Sequence, residues 1–159
     1  RRFLKNGLLV RIERDKYSFT GVKVHDFLLA NFLYPPSYIS LETALNFHGI
    51  LSQFPYEIIS ISSRKTAKKM VEGKSFVYIH LQKSLFWGYE KRGEFLVASP
   101  EKAVLDQLYF IAKGLRSANL DEWDFSSVNK KKLKEYAESF PKTGQLRRMK
   151  SLIGPYISI

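Results

Sequence analysis

Two adjacent prolines, Pro35 and Pro36, set the firmest limit on how this chain folds. Proline lacks the amide hydrogen that helices and central strands need, and it pushes the residue before it out of helical conformation. A helix carried by Val24, Phe27, Leu28 and Leu33 must therefore stop before the pair, leaving Tyr34 extended. The next helix starts at Ser40, a good N-cap residue, with Glu42 beside the positive helix end and Gly49 just past its close. His48 falls in the last turn of that helix, where the carbonyl end favours a partial positive charge.

The rest of the chain alternates short β-prone runs with helical signals. Residues 1–6 read as the end of a helix closed by Asn6-Gly7, and runs at 8–12 and 17–19 flank the polar Glu13-Arg14-Asp15-Lys16 as a hairpin with a charged tip. Gly21 opens a short linker. Strands are predicted at 57–62, 76–81, 85–89 and 95–97, with turns at Gly73-Lys74 and 90–93, arranged as antiparallel hairpins. Ser99-Pro100-Glu101 is a strong helix start, and Val104, Leu105, Leu108 and Ile111 give that helix one buried side before it ends near Gly114. Two further helices are expected near 130–139 and 143–152, separated by Pro141. The fold class is α+β: antiparallel hairpins packed with several helices, preceded by a basic hairpin.

The formal net charge is +11, and it is concentrated. Residues 1–23 carry seven Lys or Arg against Glu13 and Asp15, residues 64–74 carry five against Glu72, and residues 130–150 carry eight against Glu135 and Glu138. Clustered cations are what phosphate binding requires, because counterion release grows with the number of basic groups reaching the backbone together. The 130–150 block reads equally as the solvated face of a helix. No apolar run approaches the ~20 residues of a bilayer-spanning helix, so a soluble protein without a membrane partner is expected. With no cysteine, neither a disulfide framework nor a thiolate metal site can form, which suits a reducing cytoplasm.

Signatures of catalysis are sparse. There is no Gly-rich phosphate loop, no His-Glu-x-x-His and no Gly-x-Ser-x-Gly, and His25, His48 and His80 match no common metal spacing. His25 reads as a helix-start residue and His80 as a strand-face residue. Glu57 with Glu72-Gly73-Lys74 is the nearest approach to a metal-dependent nuclease, a minor reading because Gly73 marks a turn. No cofactor is expected, and the chain is read as a binder rather than an enzyme. The second basic block is followed by Phe76, Tyr78, Phe86 and Trp87, which read either as stacking platforms for single-stranded nucleic acid or, more simply, as residues packing the sheet.

These pieces taken in order resemble a known family. Ala30-Asn31-Phe32-Leu33-Tyr34-Pro35-Pro36-Ser37-Tyr38-Ile39-Ser40-Leu41-Glu42-Thr43-Ala44-Leu45 with His48-Gly49 resembles the opening of the C-terminal domain of AbiEi-type antitoxins, transcriptional regulators of type IV toxin–antitoxin systems linked to phage defence. Ser63-Arg64-Lys65-Thr66, Phe86-Trp87-Gly88-Tyr89 and Ala98-Ser99-Pro100-Glu101-Lys102-Ala103-Val104-Leu105-Asp106 are similar to later parts of the same family. Gly7-Leu8-Leu9-Val10-Arg11-Ile12 with Tyr17 resembles the wing of its winged helix. The resemblance covers roughly residues 1–112.

It implies two parts: residues 1–23 as the helix end and wing of a truncated winged-helix domain, and 24–159 as the antitoxin or regulator domain. Since the chain starts at Arg1, it is expected to be a piece of a longer protein. The function implied is repression of its own promoter on double-stranded DNA and neutralisation of a nucleotidyltransferase-like toxin, not necessarily through a stable complex. The alternatives are a stand-alone regulator or a protein-interaction module without a toxin. Arg1, Arg2, Lys5, Arg11, Arg14 and Lys16 are the expected backbone contacts, and Arg64, Lys65, Lys68 and Lys69 a second patch. Most signature residues read as caps, stiff turns and core groups, marking a fold more than a site.

Overall fold

The computed structural model describes residues 9–14, 16–19 and 24–158. The helix end expected at 1–6 and the linker at Gly21 lie outside them. The first elements are the expected hairpin, β1 (Leu9–Glu13) and β2 (Lys16–Phe19), antiparallel with Arg11 opposite Tyr17. It forms a sheet of its own. α1 (Asp26–Leu33) then runs to the proline pair, whose peptide bond is cis, and His25 caps its start by accepting the Phe27 amide at Nδ1.

Beyond the prolines lie β3 (Ser37–Ile39), α2 (Leu41–Phe47), β4 (Ile58–Ser62), β5 (Ala67–Val71), β6 (Lys74–His80), β7 (Tyr89–Arg92) and β8 (Phe95–Ala98). Three helices close the chain: α3 (Pro100–Ala112), α4 (Lys130–Glu138) and α5 (Gly144–Ile153). The fold is α+β. Its six-stranded sheet has the order β5-β6-β4-β3-β8-β7. The hairpins β5–β6 and β7–β8 are antiparallel as expected, but they are joined through a mixed centre: β4 pairs parallel with β6, β3 antiparallel with β4, and β3 parallel with β8.

Strand alternation assigns the two faces. Tyr78 points toward α1 and donates its hydroxyl to the Ala30 carbonyl at 2.6 Å. Tyr38 points the other way, toward α3. α4 and α5 pack on the far side of α3, so residues 101–108 of that helix are all buried. The expectation of one buried side is thus corrected: two late helices cover what would have been the solvated face.

Two strand expectations also change. The basic run after Arg64 becomes strand β5, an edge strand whose lysines keep a free sheet edge from pairing with other chains. The strand expected at 85–89 moves to Tyr89–Arg92, with Lys83–Leu85 forming a single 3-10 turn. Phe86 and Trp87 leave the ladder because their rings pack inward, Phe86 on Tyr38 at 5.1 Å between centroids and Trp87 on Tyr136 at 5.0 Å. Phe76 and Tyr78 are fully buried, so the aromatics pack the domain rather than offering stacking platforms.

Candidate nucleic-acid interface

The turn at the end of α1 organises the basic surface. Tyr34, the C-cap residue, packs its ring on Tyr78 with centroids 4.9 Å apart. The Arg64 guanidinium lies over the same ring at 3.9 Å from its centroid and the Lys69 ammonium at 5.3 Å, both within cation–π range. Tyr34 donates its hydroxyl to the Lys65 carbonyl at 2.9 Å, and Arg64 Nη1 donates to the Pro35 carbonyl at 3.2 Å.

The loop that carries Arg64 and Lys65 is tied at its base too. Ser62 Oγ donates to the Pro36 carbonyl at 2.8 Å and accepts the Arg64 amide at 3.1 Å. His80, exposed at the end of β6, holds the loop's other side through Nδ1 on the Arg64 carbonyl and its amide on Thr66 Oγ1. Lys16 comes to the same place from the hairpin, donating Nζ to the Leu33 carbonyl and lying 5.7 Å from the Phe32 ring. A cation there also complements the negative end of α1.

Lys16, remote in sequence, therefore joins Arg64 and Lys69, and Lys65 through its backbone, on the surface around Leu33, Tyr34 and Pro35. Arg14 is exposed in the turn of the hairpin. Arg11 lies on β1, with its side chain outside the described residues, and Arg1, Arg2 and Lys5 also lie outside them. Lys68 does not join the cluster, because neighbouring residues on β5 face opposite ways. It pairs with Glu57 at 3.1 Å instead. The Ser75 hydroxyl and then Lys68 hold the Glu57 carboxyl below its usual range.

The acid–lysine constellation considered for a nuclease does not assemble. Glu72 and Gly73 form the β5–β6 turn with positive φ, and Lys74 bonds Asp26 at 2.8 Å. Among the described residues, no group of three His, Cys, Asp or Glu is placed to hold a metal ion. The third basic block sits across the sheet from Tyr34, on α4 and α5. Leu133 and Ala137 face the core there, while Lys130, Lys131, Lys134, Arg147 and Arg148 are exposed.

No family model matches this chain, and no curated protein matches it. The site thus rests on its own geometry and on the residue patterns of the sequence.

The sequence reading missed a second constellation, buried between β3 and α3. Lys102 and Asp106, one turn apart on α3, are wholly buried and 2.5 Å apart. Lys102 Nζ also donates to Tyr38 Oη at 3.0 Å and the Leu85 carbonyl at 2.9 Å, using all three of its hydrogens. Asp106 Oδ2 accepts the Tyr38 and Ser40 hydroxyls, each at 2.8 Å. Burial, with Asp106 next to it, pushes the Tyr38 hydroxyl well above its ordinary 10, so it stays a donor. Gly88 makes room for this lysine, since a Cβ there would lie 2.8 Å from Lys102 Cγ, and its φ is +77°. The signal in the sequence is a Lys and an Asp four apart among apolar residues of one helix, which marks a buried pair only once both sides of the helix are known to be covered.

Two readings are corrected here. Ser40 makes no side-chain cap to α2, because its hydroxyl serves Asp106. His48 is not a charged partner for the helix end. Burial lowers its pKa from the ordinary 6.5, and its Nε2 meets the Ala98 carbonyl at 2.6 Å as a neutral ring donor.

Proposed function

We propose that this chain belongs to a DNA-binding transcriptional regulator of the AbiEi antitoxin type, acting in a bacterial cytoplasm on its own promoter. The observation that carries this reading is the convergence of Lys16, Arg64 and Lys69, with Lys65 tied in through its backbone, from a hairpin, a loop and an edge strand, on one surface around Tyr34. Cations gathered on a firm scaffold suit backbone phosphates, which fix register and orientation without reading sequence. The basic hairpin beside them supplies the wing of the proposed winged helix. No helix among the described residues is long and apolar enough to cross a membrane.

The test is fluorescence anisotropy of the protein on a duplex of its own promoter at several salt concentrations. Replacing both Arg64 and Lys65 by Glu should weaken binding and reduce the slope of log K against log salt by roughly 2, near 0.9 for each phosphate no longer neutralised. Unchanged affinity and slope would overturn the patch, and the same result for Arg11→Glu with Arg14→Glu would overturn the wing.

A protein-interaction role is the second reading. Phe54 and Tyr56 are 88% and 101% exposed beside a groove of about 520 Å³ that Phe27, Phe47 and Phe54 help to line. Large exposed apolar side chains gathered at one place suit a protein partner. Co-purification with the product of the neighbouring gene, and rescue of growth when that product is toxic, test the antitoxin part.

A further inference from the structure

The cations of α4 and α5, across the sheet from Tyr34, make a face of their own. Of the eight Lys and Arg in residues 130–150, Lys132 pairs with Glu101 at 3.4 Å and Lys150 with Glu138 at 2.5 Å. Lys130, Lys131, Lys134, Lys142, Arg147 and Arg148 are exposed and bond no carboxylate among the described residues. Of the two acids in that stretch, Glu135 is left to face them.

These cations also stand where a helix disfavours them. The first turn of α4 is Lys130-Lys131-Lys132, at the positive end of the helix dipole, and holds no acidic residue. α5 likewise begins without an acid, and Arg147 and Arg148 are its fourth and fifth residues. A face that served only to solvate its helices would carry acids in those turns. The charge works against local stability and so answers to something outside the chain.

The character of the face narrows what that is. Residues 129–151 expose no large apolar side chain, whereas Phe54 and Tyr56 do so elsewhere. Leu133, Ala137, Leu146 and Met149 are turned into the core. A protein interface needs an apolar centre, a helix lying in a membrane surface needs an apolar face, and single-stranded nucleic acid needs rings to stack on. Duplex DNA asks only for cations along its phosphates.

We propose, resting on the reading of the Tyr34 surface as a phosphate site, that the α4–α5 face holds a second segment of duplex DNA, so that one chain bridges two duplexes. The sheet and α3 stand between the two faces. Packed helix layers are spaced roughly 8–10 Å apart, so a straight duplex lying on one face does not reach the other.

The experiment is sedimentation velocity of the intact 159-residue chain with an excess of duplex of about 12 base pairs, roughly 40 Å long at 3.4 Å per base pair and too short to bend round the molecule. One chain with two duplexes is expected. Arg147→Glu with Arg148→Glu should weaken the second binding by at least about tenfold and leave one duplex, which Arg64→Glu with Lys65→Glu then removes. Lys130→Glu with Lys131→Glu should act in the same way, and since acids at a helix start stabilise it, this pair carries the test if the arginine pair does not fold. Saturation at one duplex would overturn the bridge and leave the Tyr34 surface standing, while absence of any complex would overturn both. Two duplexes still held by the folded variants would overturn the α4–α5 assignment. Polyglutamate that displaced the second duplex at equal charge concentration would do the same, marking the face as one for an acidic protein.

Discussion

Two strands that pair in parallel, β3 and β8, each run straight into a helix through a serine, yet the two serines behave differently. Ser99 accepts the Lys102 amide at 3.2 Å and caps α3 locally, with Pro100 next to it as the first helical residue. Ser40 stands in the same place before α2 but gives its hydroxyl to Asp106, sixty-six residues away. Leu41 then enters α2 at φ 53°, a left-handed conformation unusual for leucine, held by its complete burial. One turn obeys local capping rules. The other is shaped by a tertiary demand, because a buried carboxylate beside Lys102 needs every donor within reach.

Urea denaturation can break or sharpen this contrast. Asp106→Ala should have the largest effect, about 3–5 kcal/mol, since it strands the Lys102 ammonium in the core. Ser40→Ala should follow at about 1.5–3 kcal/mol, the range for a hydrogen bond to a charged group. It should lose most of that effect when Asp106 is already replaced by Asn. Ser99→Ala should cost about 1 kcal/mol and show no such coupling, as expected of a local cap. If the two serine variants proved equal and equally uncoupled from Asp106, the distinction would fail.

The smallest effect concerns His48, which joins the two units by bridging the end of α2 to the end of β8. Its pKa is lowered on folding, so the unfolded chain binds the proton more readily. The stability that the neutral ring contributes is complete above about 6.5, the unfolded value, and declines as pH falls toward the folded one. His48→Gln should flatten that part of the stability–pH curve, while an unchanged slope would remove His48 from the account.

The same contrast describes how much of the molecule could be read in advance. The boundaries of α3, α4 and α5 follow from local chemistry, with Ser99-Pro100 at the start of α3, Gly114 just past its end and Pro141 between α4 and α5. In contrast, α2 starts after Ser40 as expected although that serine does not cap it. Strand β5 was concealed because Lys68 and Lys69 look like loop residues until their edge position is known. Lys102 was concealed for the opposite reason, since nothing near it in sequence announces that α4 and α5 will cover the far side of α3. The candidate interface was legible as basic blocks, but the division of Lys68 from Lys69 depends on strand pleat, and Tyr34 as their common platform depends on where α1 ends.

The crossed links between Tyr34 and Lys65 and between Arg64 and Pro35 have one more consequence. They fasten residues 64 and 65 to a proline pair whose own backbone has little freedom, so the loop already holds one shape. An anion meeting Arg64 and Lys65 would have little chain entropy left to quench. Cutting the strap with Tyr34→Phe, which keeps the ring and removes the hydroxyl, should leave the charge intact and the salt slope unchanged while making the entropy of association less favourable, a separation that calorimetry can read.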